Sequence, residues 1–423
     1  MVQRGTKIML DVEGISSQGH GVGRGSGLVV FVEGGLSGDR LEVKIVRAKS
    51  RYAYGEILDV VRPSPHRVRV LCPVARRCGG CQWQHVEYGA QLEFKKQIVA
   101  DALARIGGIK DAPVADAAGM EEPWGYRNKA VFAIGSDGVV GTYEARSHRV
   151  VQVDGCAIVH PVNVDILKIV KYYIQGQQWH GLKSLMVRAG FATGEVMAVL
   201  SADAHKLPGE AELARDLARV GVTTFLVNNR VVFGPGYFRE KIGHVTYRLS
   251  APSFLQVNTV QAKVLYDIAL EQAGLNKEQT IVDAHCGVGG VGLYGADLVR
   301  HVVGIDVAET TIADAKINAR LNNIENAEFI CARAEDALPA LLSQGQKPDV
   351  VFLDPPRRGC DIALLDALVT SGISKIVYIS CDPATLARDV KILAAGGYRL
   401  ADVRPVDMFP MTAGVETSCL LER

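Results

Sequence analysis

Hydrophobic and polar positions alternate in short runs over the first 62 residues, and glycine-rich stretches separate these runs. The strand-like runs are residues 7–12, 27–32, 40–46 and 54–58. Residues 19–25 and 34–39, which lie between them, are read as turns. Short strands at regular spacing with glycine-rich turns predict a small β-barrel. Because Pro63-Ser64-Pro65 marks a boundary, we expect the barrel to comprise residues 1–62.

The next stretch combines a helical pattern with short strand-like runs. Residues 91–106 carry apolar side chains near helical spacing, and Gly107-Gly108 ends the pattern. From about residue 125 to 250, strand-like runs such as 188–199 and 223–232 alternate with turns. We therefore expect residues 63–250 to form an α+β central domain, whose helix at about 88–108 could pack on the domain that follows.

From residue 251 onward, the pattern changes to alternating strands and helices. The strand-like runs are residues 281–283, 301–306, 327–331, 349–353 and 376–379. The helical patterns cover residues 260–273, 308–322 and 383–395. This alternation predicts a parallel, doubly wound sheet. The predicted fold is thus multidomain and ends in a Rossmann-like α/β domain over residues 251–423.

Composition narrows the class of protein. The chain is 48% hydrophobic but has no run of about 18 apolar residues, so it predicts no transmembrane helix and no membrane partner. Because the first residues show no signal-peptide core, we expect a cytoplasmic protein. Residues 1–81 contain 13 lysines and arginines against 7 acidic residues. Such a basic segment is typical of nucleic-acid binding, although a solvated basic face explains the charge equally well.

Two of the predicted strands are followed by signals of a nucleotide site. The glycine-rich segment 282–292 follows the first strand of the α/β domain, and Asp306 ends the next one. Glycines there let the backbone approach a ligand, and the carboxylate can accept hydrogen bonds from ribose hydroxyls. Because the full G-x-G-x-x-G pattern is absent, S-adenosylmethionine fits better than NAD. Asp354-Pro355-Pro356 ends a further strand and adds a stiff loop at the same sheet edge.

A thiol and a carboxylate are candidates for the chemistry. Cys381 follows the apolar run 376–379, at the end of a strand where open α/β sheets bind ligands. Taken alone, it could equally be a buried core cysteine. Glu416 lies near the C-terminus and, taken alone, would be a solvated surface charge. Glu416 is a candidate because a base is needed near Cys381.

Nine cysteines are present, and three of them cluster as Cys72-x5-Cys78-x2-Cys81, with Cys156 further on. Without an export signal, metal binding or catalysis is favoured over disulfides. Soft thiolates select zinc or iron–sulfur clusters, and the spacing alone does not separate these two.

Four segments together resemble the RNA uracil-5-methyltransferase family. They are Gly-Val-Gly-Gly after Asp283, Asp354-Pro-Pro-Arg, Ser-Cys381-Asp-Pro-Ala-Thr-Leu-Ala-Arg-Asp, and Phe-Pro-x-Thr-x-x-Val-Glu416-Thr. The resemblance implies that Cys381 is a nucleophile, Glu416 is a base and S-adenosyl-L-methionine is the cofactor. It also implies that the cofactor contacts are Gln256, His285, Gly287, Gly290, Asp306, Arg333 and Asp354. The N-terminal barrel resembles a TRAM domain, an OB-like RNA-binding module.

The cysteine segment resembles family members that carry a [4Fe–4S] cluster. This implies that Cys72, Cys78, Cys81 and Cys156 are its ligands. A TRAM-like barrel together with a cluster resembles the enzymes that make 5-methyluridine in 23S ribosomal RNA. We therefore expect RNA as the partner, with 23S ribosomal RNA first and transfer RNA second, and no obligate protein partner.

Four residues depart from the family pattern, namely His285, Asp382, Met411 and Gly414.

Two other functions are alternatives to an RNA uracil-5-methyltransferase. A radical S-adenosylmethionine enzyme can also carry a TRAM module, but its cluster needs a Cys-x3-Cys-x2-Cys motif, unlike the x5 and x2 spacing here. A non-catalytic RNA-binding protein would not need Cys381 and Glu416, and both are present.

Overall fold

The computed structural model describes residues 3–177, Trp179 and residues 181–423. The first part is a closed barrel with the strand order β1-β2-β3-β5-β4. Its strands are β1 (Lys7–Ile15), β2 (Gly21–Gly25), β3 (Leu28–Val32), β4 (Arg40–Ala48) and β5 (Tyr52–Arg62). Alternate side chains such as Leu10, Val30 and Leu41 fill the interior and are fully buried. The predicted barrel is confirmed.

The reading of residues 19–25 as a turn is wrong, because Gly21–Gly25 forms strand β2. The glycines there allow close backbone approach. A Cβ atom on Gly23 would lie 2.3 Å from the carbonyl oxygen of Asp11, and one on Gly21 would lie 2.7 Å from the carbonyl carbon of Gly35. Glycine in a strand marks such contacts as well as turns, and the sequence pattern alone does not distinguish the two.

Helix α1 (Tyr88–Ala102) continues into a π-helical turn, Leu103–Gly107, which ends at Gly108 in the left-handed region. A seven-stranded sheet follows, with the order β12-β11-β10-β9-β6-β7-β8. Its elements are β6 (Lys129–Ile134), β7 (Val140–Tyr143), β8 (Val150–Gln152), α2 (Val162–Gln177), β9 (Leu182–Ala189), β10 (Val196–Ala202), α3 (Glu210–Arg219), β11 (Thr224–Val227) and β12 (Arg230–Phe233). Helices α2 and α3 pack together against this sheet, with Leu167, Leu213 and Leu217 in the shared core.

A hairpin, β13 (Tyr237–Ile242) and β14 (Val245–Ser250), leads into the C-terminal part. There, helix and strand alternate as the sequence predicts. The elements are α4 (Thr259–Ala273), β15 (Thr280–Ala284), α5 (Gly290–Tyr294), β16 (His301–Asp306), α6 (Glu309–Leu321), β17 (Ala327–Cys331), α7 (Ala334–Ser343), β18 (Val350–Leu353), α8 (Ile362–Ser371), β19 (Lys375–Ser380), α9 (Pro383–Ala395), β20 (Arg399–Val406) and β21 (Glu416–Glu422).

The C-terminal sheet has the order β17-β16-β15-β18-β19-β21-β20. Strands β15 to β19 are parallel, so the doubly wound sheet is confirmed. Strand β21 pairs antiparallel with both β19 and β20, and these two strands extend the sheet beyond β19. The sequence pattern did not indicate this extension. The chain order reverses between β15 and β18, and the crevice at such a reversal is where these sheets bind ligands. Within the described residues, no helix combines the length and the apolar character needed to span a membrane.

Residues 407–415, which connect β20 to β21, form what we call the junction loop. Its first residue, Asp407, accepts hydrogen bonds from Lys95 Nζ and, at 2.9 Å, from Tyr88 Oη. The Lys95 and Asp407 side chains are fully buried. Lys95 also donates to the carbonyl oxygen of Phe409 at 3.1 Å, so helix α1 fixes the start of the loop.

The same loop contacts the barrel and the cysteine segment. Trp83 lies two residues after Cys81, and its backbone nitrogen donates to the Met411 carbonyl at 3.0 Å. Its indole nitrogen donates to the carbonyl of Gly19 in the barrel at 3.1 Å. Trp83 and Ala413 share one apolar cluster with Leu36 of the barrel. The junction loop is therefore where the barrel, helix α1 and the C-terminal sheet meet.

Replacing Lys95 tests this clamp. The Lys95→Met variant should be destabilised by about 3–5 kcal/mol, because it leaves the Asp407 carboxylate buried without its cation. The measurement is urea unfolding followed by circular dichroism. Lys96→Met is the matched control, since Lys96 and its partner Asp116 are exposed, and it should leave the unfolding midpoint unchanged. Equal unfolding midpoints for the two variants would contradict the proposed contribution of the buried pair to stability.

Candidate active site

The glycine-rich loop after β15 and the carboxylate at the end of β16 come together as predicted. Gly287 N donates to Asp306 Oδ2 at 3.1 Å, and Ala308 N donates to Asp306 Oδ1 at 2.9 Å. Asp306 is thereby held at the sheet edge with lone pairs still free on both oxygens. His285 turns the chain into this loop at a φ of 82°, a value that few side chains adopt. Its Nδ1 is buried and has no hydrogen-bond partner among the described residues.

A second carboxylate, Asp283, lies underneath the loop. Its Oδ2 accepts a hydrogen bond from Gly292 N at 2.8 Å, which ties β15 to helix α5. Gly292 suits this position, because a Cβ atom there would lie 3.0 Å from Asp283 Oδ2. The pKa of Asp283 is raised to about 7, mainly by burial and in smaller part by the charge of Asp306, while the hydrogen bond from Gly292 opposes the increase.

Cys381 directly follows β19, and Glu416 begins the neighbouring antiparallel strand β21. Ser380 at the end of β19 is opposite Thr417 in β21, so Cys381 and Glu416 occupy the next pair of positions. The Cys381 thiol is half-buried. Its pKa is raised to about 11, first by burial and then by the negative charges of Glu416 and Asp354. The thiol and the two carboxylates therefore share one site.

The Glu416 carboxyl is buried, with only 3% of the residue exposed, so its reading as a solvated surface charge is wrong. Strand β21 lies between β19 and β20, and this removes its first residue from solvent. Burial raises the pKa of Glu416 well above its usual value, and the charge of Asp354 adds to this. Its Oε2 has no hydrogen-bond partner within the described part of the chain. A buried carboxyl with a raised pKa and a free oxygen is typical of a functional site.

The third member, Asp354, follows β18 and is partly buried. Its pKa is raised to about 7, first by burial and then by the charge of Asp283. Next to it, Arg357 lowers the pKa of both Cys381 and Glu416. The backbone of the Arg357 loop is attached to helix α9, since Thr385 Oγ1 donates to the Arg357 carbonyl at 3.2 Å. Arg357 was overlooked as a site residue, although its position directly after Asp-Pro-Pro could have identified it.

Tyr266 was also missed, and nothing in its helical pattern distinguishes it from an ordinary core residue. Its pKa is raised well above the usual value, first by burial and then by the charges of Asp354, Asp283 and Glu416. A Cβ atom on Gly290 would lie 2.9 Å from its hydroxyl oxygen. The phenol is therefore packed against the start of helix α5, close to the three carboxylates.

Gln256 and Arg333 lie in different surroundings. Gln256 is buried, and its backbone oxygen accepts a hydrogen bond from Asn128 Nδ2 at 3.0 Å. Two residues later, Asn258 caps helix α4 and donates to the Met408 carbonyl at 3.2 Å, which places this segment beside the junction loop. Arg333 lies at the start of helix α7, directly after Ala332, whose nitrogen donates to the Asp306 carbonyl at 3.0 Å. Its guanidinium is exposed and bonded to Glu335 at 2.7 Å.

Two departures from the family pattern have structural explanations. Asp382 caps helix α9 by accepting hydrogen bonds from Ala384 N at 2.9 Å and Thr385 N at 3.1 Å. Asparagine and aspartate serve equally well as N-caps, so this difference leaves the loop after Cys381 intact. Met411 adopts a φ of 67° in the junction loop and packs into the core of the central sheet.

The four cysteines of the predicted metal site, Cys72, Cys78, Cys81 and Cys156, are free thiols that are neither fully buried nor fully exposed. The pKa of Cys81 is raised to about 12, mainly by burial and to a smaller extent by the charges of Cys156, Cys78 and Cys72. No three His, Cys, Asp or Glu side chains within the described residues are grouped so that they could hold a metal ion. The metal site therefore stays a prediction.

Comparison with known proteins identifies the families that this chain resembles. The profile described as tRNA (Uracil-5-)-methyltransferase matches residues 211–423, and that of the TRAM domain matches residues 2–58. An uncharacterized RNA methyltransferase of Halalkalibacterium halodurans is 39% identical over 100% of this chain and 98% of its own length. One from Clostridium tetani is 38% identical over 99% of this chain and 97% of its own.

One solved structure matches nearly the whole chain. It is the tRNA (uracil-54, C5)-methyltransferase of Pyrococcus abyssi in complex with S-adenosyl-L-homocysteine. The TM-score is 0.79 at 28% identity, and the match covers 98% of this chain and 99% of the other. Together with the family profiles, this match confirms the predicted TRAM barrel and the C-terminal methyltransferase domain.

Thiol alkylation can test the electrostatics of Cys381. Below the pKa, the alkylation rate follows the thiolate fraction, so one pKa unit changes the rate by about tenfold. The Glu416→Gln variant should be alkylated faster than the wild type, because it loses a negative charge that raises the thiol pKa. Arg357→Gln should be alkylated more slowly, because it loses a cation that lowers this pKa. The readout is iodoacetamide labelling of the Cys381 peptide, followed by mass spectrometry at one mildly alkaline pH.

The matched control is Glu328→Gln, an exposed carboxylate in β17, which lies at the opposite edge of the sheet from β19. Its labelling rate should equal that of the wild type. If the Glu416 and Arg357 variants changed the rate in the same direction, the arrangement of charges around the thiol would be refuted.

Proposed function

The chain belongs to the tRNA (uracil-5-)-methyltransferase family, and we propose that it uses Cys381 and Glu416 to methylate C5 of a uridine in RNA. One observation carries this assignment: the half-buried thiol directly after β19 and the buried carboxyl at the start of β21 occupy facing positions, beside the glycine-rich loop. Uracil C5 is a poor nucleophile, and this pair supplies what its activation requires.

In the proposed reaction, the Cys381 thiolate forms a bond to C6 of uracil, and the electrons of the C5–C6 double bond move to C5 and the adjacent carbonyl. C5 would then take the methyl group of S-adenosylmethionine, and the methyl–sulfur bond would break to leave S-adenosylhomocysteine. Glu416 accepts the proton from C5, the double bond forms again and the C6–sulfur bond breaks to release the thiolate. Covalent catalysis of this kind replaces one difficult step by easier ones. The target base must leave its stack to reach Cys381, so we infer that it is flipped out.

S-adenosylmethionine, when bound, supplies the methyl group together with a positively charged sulfonium. We propose that Asp306 accepts hydrogen bonds from its ribose hydroxyls, because both oxygens keep free lone pairs. By resemblance, Gln256, His285, Gly287, Gly290, Arg333 and Asp354 are further contacts. The unpartnered Nδ1 of His285 is consistent with a hydrogen bond to a ligand. The raised pKa values of Asp354 and Glu416 also suit a positively charged group nearby, because a cation lowers them.

For the RNA target, we propose 23S ribosomal RNA, on the resemblance of the TRAM-like barrel and cysteine segment to enzymes of that type. Transfer RNA is the second candidate, and a specific observation favours it. The Pyrococcus abyssi enzyme acts on transfer RNA, and its match covers 98% of this chain, which includes the barrel. The barrel by itself therefore does not separate the two targets.

We further propose that Cys72, Cys78, Cys81 and Cys156 hold a [4Fe–4S] cluster, as the resemblance implies. The support is the spacing of three of them in one segment and the free, partly exposed state of all four thiols. A metal centre binds the deprotonated thiolate form of cysteine. A cluster there would brace the segment from which Trp83 bonds the junction loop.

Replacing Cys381 tests the nucleophile and the RNA target together. In a strain that lacks this protein, a plasmid encoding Cys381→Ala should fail to restore 5-methyluridine in 23S ribosomal RNA, whereas wild type should restore it. In vitro, the loss of rate should be on the order of 10⁴-fold or more. The matched control is Cys331→Ser, an exposed thiol that is not part of the proposed machinery. Restoration in transfer RNA instead would select the second target, and a fully active Cys381→Ala would refute the mechanism.

The Glu416→Gln variant should methylate on the order of 10²–10⁴-fold more slowly. It should also accumulate a covalent protein–RNA complex, because the adduct forms but its C5 proton cannot be removed. The variant is incubated with S-adenosylmethionine and an RNA that the wild type methylates, and the complex is detected on a denaturing gel.

The predicted cluster can be tested by measuring bound iron and sulfide, without any activity measurement. Protein purified without oxygen should contain about four iron and four sulfide ions per chain, and Cys156→Ser should lose most of them. Cys419→Ser, which alters a buried thiol in β21, should keep them. Stoichiometric zinc instead of iron would contradict the cluster, although it would support the same ligands.

A further inference from the structure

We propose that Asp389 is a positioning residue for the reaction, because it holds the loop that carries Arg357 against the helix that follows Cys381. Asp389, Arg388 and Tyr378 together form what we call the clasp. The inference deepens the proposed function and rests on it, since it concerns the reactivity of the Cys381 thiol. Asp389 ends the segment 380–389 that follows the family pattern, yet neither the proposed chemistry nor the cofactor contacts use it.

Helix α9 presents one face to what we call the Arg357 loop, residues 354–361, which connects β18 to α8. Thr385, Arg388 and Asp389 are three or four positions apart along this helix. Residues at that spacing lie on the same side of a helix. Their side chains are therefore able to bond the loop together.

Two of these side chains bond backbone carbonyls of the Arg357 loop. Thr385 Oγ1 donates to the carbonyl of Arg357 at 3.2 Å. Arg388 Nη2 donates to the carbonyl of Arg358 at 3.0 Å and to that of Cys360 at 3.3 Å. The helix thus holds the loop at Arg357 itself and on the C-terminal side of it.

The Asp389 carboxylate closes the clasp from within the protein, where it is fully buried. Its Oδ2 accepts hydrogen bonds from Cys360 N at 2.8 Å and from Tyr378 Oη at 2.7 Å. Its Oδ1 accepts one from Arg388 Nε at 2.7 Å. A buried carboxylate that loses a donor is costly, so the loop cannot shift at Cys360 without a loss of free energy.

Gly359 allows the loop to approach the helix this closely. A Cβ atom on Gly359 would lie 2.6 Å from Asp389 Oδ2 and 2.6 Å from Arg388 Nη2. Gly359 also has a φ of 77°, which favours glycine. The loop is therefore pressed onto the two charged side chains of the clasp.

The clasp lies beneath the strand ends that carry the site. Tyr378 in β19 is opposite Leu353, the last residue of β18, and Cys381 follows three positions after Tyr378. The Arg357 side chain is exposed, so its position relative to the thiol depends on where the loop holds its backbone. Arg357 lowers the pKa of the Cys381 thiol, and the thiolate is the form that attacks. The clasp therefore keeps a cation where it favours the reactive form.

A buried polar network also stabilises a core, which is the simplest explanation of these bonds. That explanation predicts only a loss of stability when the network is weakened. Positioning predicts in addition a change in Cys381 reactivity that depends on the presence of Arg357.

The test is the rate at which iodoacetamide labels Cys381 in the full chain, measured on its peptide by mass spectrometry at one mildly alkaline pH. Asp389→Asn should slow this labelling by up to about tenfold, which corresponds to a rise of one unit in the thiol pKa. The sign separates two causes. Acting through space alone, the loss of a negative charge would lower the thiol pKa and speed the labelling, whereas release of Arg357 slows it.

Two further variants change no charge. Tyr378→Phe removes the phenol donor to Asp389, and Thr385→Val removes the donor to the Arg357 carbonyl. Each should slow labelling by a smaller factor than Asp389→Asn, and neither should slow it more than Arg357→Gln does. Circular dichroism establishes that each variant is folded, and these two carry the test if Asp389→Asn does not fold.

The same substitutions are then made in the Arg357→Gln variant. No cation is left there for the clasp to position, so none of them should slow the labelling further. A change in the access of iodoacetamide to the thiol would instead persist in this background, because it does not depend on the guanidinium.

The matched control is Tyr398→Phe, which alters another buried tyrosine of the same apolar core. Tyr398 Oη donates to the carbonyls of Ile373 at 2.8 Å and Leu368 at 3.0 Å, away from the Arg357 loop. Its loss should lower the urea unfolding midpoint and leave the labelling of Cys381 at the wild-type rate.

Four outcomes would overturn the inference. They are faster labelling of Asp389→Asn, unchanged labelling of the folded Tyr378→Phe and Thr385→Val variants, equal slowing with and without Arg357, and equal slowing by Tyr378→Phe and the Tyr398→Phe control.

This test is separable from that of the proposed function, because the labelling assay needs neither RNA nor S-adenosylmethionine. An active Cys381→Ala would refute the proposed reaction and leave the labelling rates as they are. Unchanged labelling in the clasp variants would refute the positioning role of Asp389 and leave the role of Cys381 intact.

Discussion

The buried ion pair between Lys95 and Asp407 is the constraint on which the arrangement of this molecule depends. Its two residues are 312 positions apart in the chain, yet both side chains are fully buried. Burying either charge alone in a low-dielectric interior would cost free energy. The favourable arrangement is therefore the one in which Lys95 and Asp407 are in contact. The junction loop is therefore held against helix α1, and Glu416, which follows this loop directly, is held with it. A feature of the central part of the chain thus sets the position of a carboxyl in the catalytic part.

The second organising feature is the concentration of carboxyl groups at the carboxyl ends of the sheet strands. Burial is the largest cause of the raised pKa of Asp283, Asp354 and Glu416, and a neighbouring carboxylate adds to each increase, namely Asp306, Asp283 and Asp354 respectively. Arg357 is the cation that opposes this effect at Glu416. Such an arrangement costs stability in the absence of a ligand and favours a positively charged one. The raised pKa values are therefore consistent with a site suited to a sulfonium and to proton transfer.

The barrel is attached to the catalytic part through the junction loop. Its inner face forms a small apolar core, and its outer face carries Phe31, Tyr52 and Tyr54. Trp83 bonds both the barrel and the junction loop, so one residue anchors the two. The cysteine segment, two residues from Trp83, lies at the same anchor, which gives a physical reason for a stabilising group at that position.

The sequence alone determined the features that depend on local patterns. Strand and helix periods located the barrel and the doubly wound sheet, and the polar residues after strands located Asp306, Asp354 and Cys381, because these patterns arise from neighbours in the chain. The burial of Glu416, the strand formed by Gly21–Gly25 and the roles of Tyr266 and Lys95 were decided only by the tertiary structure. Each of these depends on contacts between residues far apart in sequence, and a side chain's burial and pKa are properties of what packs around it.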